Sequence, residues 1–226
     1  MIRKSIYKQE EIVQINQNKL CIYEIKKNRQ KTLVFDLDET LIHCNENVQI
    51  PSDVVLPIKF PTGEIIEAGI NIRPYCYECL QELSKYYEIV VFTASHSCYA
   101  NVVLDYLDPK GQYISYRLYR ENCVTTEEGV YIKDLRVLQN RNMSDIVLVD
   151  NAAYSFGFQI NNGIPVIPFY DNKNDNELKN LINFMKSIHQ VKDFRDTLKK
   201  VLKINQFSEF QDPEMLLSTL FQELIQ

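Results

Sequence analysis

Three short apolar runs, each broken off by polar residues, dominate the pattern of this 226-residue chain. Leu33-Val34-Phe35 gives way to Asp36-Leu37-Asp38, Glu88–Phe92 to Thr93-Ala94-Ser95, and 146–149 to Asp150-Asn151. Runs this short, without alternation, are typical of parallel strands covered on both faces. Helical periodicity fills the spaces between them. One helix is predicted to start at Arg73-Pro74, with proline near its first position, and to run through Leu80 and Leu83 to about Tyr86. A second carries Tyr99, Val102, Val103, Tyr106 and Leu107 on one stripe. Strand and helix alternating in this way predict a Rossmann-like α/β domain, a parallel sheet with helices on both faces.

The segment after the first run breaks that rhythm. Residues 54–60 and 64–72 flank Pro61-Thr62-Gly63, where Pro and Gly suit a type I turn, so a small β-hairpin insertion of about 45–72 is expected. Further strands are expected at 116–122, 130–132 and 164–169, and Asn174 to Leu178 should cap a helix whose Leu181, Ile182 and Met185 face inward. Polar residues 1–30 read as a lead-in, with Leu20-Cys21-Ile22-Tyr23 an edge strand; 31–188 reads as the main domain and 189–226 as a helical tail. In the tail, Val191, Phe194, Leu198, Val201 and Leu202, then Leu216, Leu217, Leu220, Phe221 and Leu224, form stripes expected to pack on the core rather than in a partner groove.

With 45% hydrophobic and 24% charged residues, the chain can build a full core, and a net charge of −5 speaks against nucleic-acid binding. No apolar run reaches the ~18 residues of a membrane span, and the N-terminus lacks a signal-peptide core, so a soluble intracellular protein, nuclear or cytoplasmic and monomeric, is expected. Six cysteines then read as reduced thiols. Cys76 and Cys79 form a CxxC inside an amphipathic stretch with no second ligand pair, which favours packing over zinc or redox chemistry. No cysteine is followed six positions later by arginine, which excludes the tyrosine-phosphatase nucleophile.

Chemistry gathers where the strands end. Asp36 and Asp38, two apart in extended chain, point to one side at the edge where α/β sheets bind ligands. Each could be an ordinary loop acid or helix cap. Together they would resist ionising unless a cation lay between them, and hard oxygen ligands suit Mg2+. Thr93 sits before a helix N-terminus, a place that serves either as a cap or as a phosphate site. Lys133 alone would read as a solvated surface residue.

Asp-Leu-Asp-Glu-Thr-Leu at 36–41 resembles the first motif of the haloacid dehalogenase superfamily. Phe92-Thr93-Ala94-Ser95, Lys133-Asp134-Leu135 and Asp150-Asn151 match its later motifs. With Phe35 before the first motif, the chain looks like the small phosphatases that act on the C-terminal domain of RNA polymerase II, the NLI-interacting-factor-like phosphatase domain. Gly163-Ile164-Pro165 and Lys173 to Leu178 most resemble the small-phosphatase-like 2 branch, and the resemblance covers 31–188. It implies Asp36 as nucleophile and Asp38 as general acid and base. Lys133 neutralises charge, Asp36, Asp38, Asp150 and Asn151 hold Mg2+, and Thr40, Thr93, Ala94 and Arg120 contact substrate. Two departures stand out: Ala152-Ala153 replaces the usual Ser-Pro, and Phe169 the usual Trp.

The resemblance therefore implies a Mg2+-dependent phosphoserine or phosphothreonine protein phosphatase working through an aspartyl phosphate, with a phosphorylated protein as its partner. A metabolite phosphatase of the same superfamily would share the catalytic residues, but such enzymes usually carry a large helical cap where this chain has a small insertion. A non-catalytic binding module of the same fold lacks the first-motif acids, and this chain has them.

Overall fold

The structure, a computed structural model, describes residues 30–45 and 47–202. The expected edge strand at 20–23 and the closing stripe from Leu216 to Leu224 lie outside these residues. β1 (Thr32–Phe35) and β2 (Ile42–Asn45) come first, then β3 (Val54–Lys59) and β4 (Ile65–Ile72), α1 (Cys76–Leu83), β5 (Glu88–Phe92), α2 (Ser97–Leu107) and β6 (Ile114–Leu118). A short antiparallel pair, β7 (Val124–Thr125) and β8 (Tyr131–Ile132), precedes β9 (Ile146–Asp150) and β10 (Gly163–Pro165). α3 (Glu177–Ile188) and α4 (Phe194–Leu202) complete the described chain.

Five parallel strands lie in the order β10-β9-β1-β5-β6. The chain starts in the middle at β1 and crosses through α1 and α2 to β5 and β6. It then returns through 119–145 to β9 on the other side of β1, which places the switch of direction between β1 and β9. Side-chain alternation sorts the two faces. Leu33, Phe35, Ile89, Val91, Val147 and Val149 pack with all four α-helices. Val34, Val90, Phe92 and Leu148 meet Leu135, Val137 and Phe156 from the 3-10 turns Leu135–Val137 and Ala153–Phe156. Helical segments thus cover both faces, and among the described residues the α-helices lie on one of them. Gly163 lies so close under Phe156 that a Cβ there would come within 2.3 Å of the ring.

The insertion is a three-stranded antiparallel sheet, β2-β4-β3, rather than a two-stranded hairpin. Its turn is as expected: the Gly63 N–H donates to the Phe60 carbonyl at 2.9 Å, and Gly63 takes φ +89°. β2 escapes a periodicity search because it is four residues long and only partly apolar. α1 begins at Cys76, after Tyr75 in a left-handed conformation at φ 65°, and ends at Leu83, three residues before the expected Tyr86. β10 stops at Pro165, with one further bond from the Val166 N–H to the Asp150 carbonyl at 3.2 Å, so the expected strand over 164–169 is shorter than its apolar pattern. α4 buries Phe194, Leu198 and Leu202 in the same core as the other helices. Among the described residues no helix is long and apolar enough to cross a membrane.

Candidate active site

Strand register brings the three polar endings to one level. Phe35 pairs with both Val91 and Val149, so Asp36 emerges beside Asp150, and the Asp36 N–H donates to the Val149 carbonyl at 2.9 Å. Lys133, just past β8, is fixed by its own N–H to the Ser155 carbonyl at 2.8 Å. Its ammonium bonds Asp36 Oδ1 and, at 2.6 Å, Asp150 Oδ2. All three are buried, with Lys133 only 2% exposed. Ala152 N–H donates to the remaining Asp150 oxygen at 2.8 Å.

One ammonium serves two carboxylates, with a third acid close by. Burial pushes the Asp36 carboxyl up to about 8; Lys133 opposes this, while the charges of Asp150 and Asp38 add to it. For Lys133, burial works against the charge, but Asp150 and Asp36 outweigh it and hold the ammonium above the usual lysine range.

Asp38 faces another set of partners. Its Oδ2 accepts from Ser95 Oγ at 2.7 Å and more distantly from Thr93 Oγ1 at 3.4 Å, and its Oδ1 accepts from Tyr99 Oη at 2.7 Å. The segment after β5 and the first turn of α2 thus fix this carboxylate. Thr93 is buried, and its hydroxyl accepts the Ser95 N–H at 3.0 Å, the bond expected of a turn cap. Arg120 is tied by Nε to the Ala94 carbonyl at 2.6 Å and by Nη1 to His96 Nε2 at 2.9 Å, with its guanidinium over the Tyr131 ring.

Thr40 lies between the first-motif loop and Asn151. It has no exposed surface, and its hydroxyl donates to Asn151 Oδ1 at 3.2 Å and accepts the Asn151 N–H at 3.3 Å. It thereby links the first-motif loop to Asn151. The other expected residues fall into separate bonded sets around the carboxyl ends of β1, β5 and β9: Asp36, Lys133 and Asp150 in one, Asp38 with Thr93 and, through Ser95, Arg120 and Ala94 in another, and Asn151 with Thr40. Sequence reasoning missed Ser95 and Tyr99. Ser95 stood inside the quoted Phe92 to Ser95 match, whereas Tyr99 was counted only as an apolar helix position. Cys76 and Cys79 lie buried on the inner face of α1, among the described residues no group of three or more His, Cys, Asp or Glu side chains is placed to hold a metal ion, and none of the five described cysteines is joined to another in a disulfide.

Comparison with known proteins adds three results. A family model for NLI interacting factor-like phosphatases matches residues 31–195. The chain is 39% identical over 175 residues to CTD small phosphatase-like protein 2 of Dictyostelium discoideum, covering 77% of this chain and 30% of that protein. It is 37% identical over 180 residues to CTD small phosphatase-like protein 3 of Caenorhabditis elegans, covering 79% and 62%. Against the human carboxy-terminal domain RNA polymerase II polypeptide A small phosphatase 1 it is 35% identical over 168 residues, covering 74% and 63%. The chain thus spans less than two thirds of each of these relatives. A solved structure of Fcp1, an essential RNA polymerase II CTD phosphatase, superposes with a TM-score of 0.54 at 22% identity, over 81% of this chain and 55% of that one; at this identity the likeness is one of fold.

Proposed function

The chain belongs to the family of NLI interacting factor-like phosphatases, and we propose that it is a protein serine/threonine phosphatase that removes phosphate through an aspartyl-phosphate intermediate. The arrangement of Lys133 between Asp36 and Asp150 at the switch point of the sheet carries this reading. Asp36 attacks phosphorus in line, forming the acyl phosphate as the seryl or threonyl oxygen departs. Asp38, held by hydroxyl donors, gives that oxygen its proton and then takes one from the water that attacks the acyl phosphate. Lys133 faces the equatorial oxygens as charge builds on them. The names of the relatives make the phosphorylated C-terminal domain of RNA polymerase II the first substrate to try.

The donor set fits Mg2+. Among the described residues no group of three or more His, Cys, Asp or Glu side chains is placed to hold a metal ion by itself, so the ion would depend on waters and substrate oxygens for the rest of its shell. Mg2+ is ordinarily held by one or two carboxylates while keeping waters and substrate oxygens, and strand-end carboxylates with the Asn151 carboxamide supply hard oxygens of that kind. Three acids against one buried ammonium leave negative charge that burial opposes at Asp36. Asp36, Asp38, Asp150 and Asn151 would hold the ion, and its chemistry there would be to offset charge between acids and phosphate.

Turnover of phosphoserine peptides should exceed that of sugar phosphates, vanish in EDTA and return with Mg2+. Asp36→Asn should be inactive while keeping its fold. Full activity in excess EDTA would remove the metal from this reading, and an active Asp36→Asn would remove the nucleophile.

A further inference from the structure

Arg73 is 1% exposed, a guanidinium fully withdrawn from water directly after β4. Nε and Nη2 grip the two oxygens of Asp175 at 2.9 Å each. Nη2 also donates to the Ile167 carbonyl at 2.7 Å, and Nη1 to the Thr40 carbonyl at 3.1 Å. The Arg73 N–H takes the Leu41 carbonyl at 3.1 Å, while the Phe169 N–H takes that of Glu39 at 2.8 Å. Three successive carbonyls after Asp38 are therefore fastened by Arg73 and Phe169, in a stretch where Glu39 sits at φ 57°, a conformation non-glycine residues avoid. Asp175 is itself fixed, because its Oδ1 accepts the Glu177 N–H at the start of α3.

A buried ion pair is a poor source of stability, since removing two charges from water offsets most of their attraction and apolar replacements are often neutral. What it supplies here is geometry. Asp36 needs no such help, being held in register by the sheet. Asp38 lies beyond the strand, on the segment whose carbonyls Arg73 holds. We propose that Arg73, clamped by Asp175, is a positioning residue that sets the placement of Asp38 and connects it to the root of the β2-β4-β3 insertion. This deepens the proposed reaction, because it depends on Asp38 acting as general acid.

The test compares a phosphoserine peptide, whose alkoxide needs a proton, with p-nitrophenyl phosphate, whose leaving group needs little help. Arg73→Lys keeps the charge but cannot span Asp175, Ile167 and Thr40 together. Arg73→Met/Asp175→Leu replaces the pair by apolar groups and covers the case in which the lysine variant does not fold. In each, the rate of phosphoryl transfer from the phosphopeptide, read as alcohol release in a single turnover with enzyme in excess so that the shared hydrolysis step does not enter, should fall about 10- to 100-fold, the scale of an ångström-level misplacement, with transfer from p-nitrophenyl phosphate largely kept. Asp38→Asn should show the same selectivity. Equal losses on both substrates in the folded Arg73 variants, with Asp38→Asn selective, overturn the positioning role alone. Equal losses in Asp38→Asn overturn the acid role and this proposal with it.

Discussion

The Tyr99 hydroxyl donates a 2.7 Å hydrogen bond to Asp38 Oδ1, so the helix that follows the second apolar strand aims the carboxylate that follows the first. A hydrogen bond to a charged group contributes about 1.5–3 kcal/mol, and about 1.4 kcal/mol corresponds to a factor of ten in rate. Tyr99→Phe should therefore slow phosphopeptide turnover about tenfold or more while leaving the melting temperature nearly unchanged. Wild-type kcat in this variant would mean that the bond is not kept in the transition state.

Lys133 should matter to stability as well as to catalysis. Lys133→Met leaves Asp36 and Asp150 buried together without a counter-charge, and breaking such a pair costs about 3–5 kcal/mol. Adding Asp36→Asn removes one of the stranded charges and should restore part of that loss, still without activity. Denaturant unfolding of the two variants in EDTA checks this; no recovery in the double variant would show that repulsion is not the cause.

A pH effect is expected at the insertion. Asp53 accepts both a 2.7 Å bond from Lys173 and a 2.8 Å bond from the Ile72 N–H. Burial works to raise its carboxyl, but these bonds together hold it below the usual range. A carboxyl lowered by folding contributes stability that is complete above the unfolded value, near ~4, and is lost as pH falls through the folded value. Asp53→Asn should melt below wild type at pH 7, and the gap should close under acid. A gap that stays constant down to pH 3 would rule out the ion pair as its source.

Thiol chemistry should be silent in α1. Burial pushes Cys76 up to about 12, Glu78 adds to this and Arg73 opposes it, while burial holds Cys79 well above the usual thiol range. Iodoacetamide at pH 8 should leave both unmodified in the folded chain, and both should react after denaturation. Native labelling at the rate of a free thiol, read by mass spectrometry, would revive the redox alternative.

Much of this was legible because burial writes itself into composition. β1, β5 and β9 have no exposed residue, so between the terminal Thr32, Glu88 and Asp150 their sequences are apolar and their ends mark the site. Arg73 and Tyr99 were not legible for the opposite reason. Their roles depend on what long side chains reach across 30 to 100 positions of chain, and local patterning records a residue's face but not its distant partner. Thr40 shows the same limit: the motif marks it, but only the fold shows its hydroxyl turned towards Asn151.

The strand order has a consequence for how activity is acquired. β1 is made early, yet both its neighbours arrive later; Asp36 meets Lys133 across 97 positions and Thr40 meets Asn151 across 111. Contacts this distant form only after long loops close, which makes folding slow for the size of the chain. Catalytic competence then arrives with the final strand pairing and not in stages. During refolding, recovery of turnover should follow the global transition, and a chain shortened to end before Asn151 should show none.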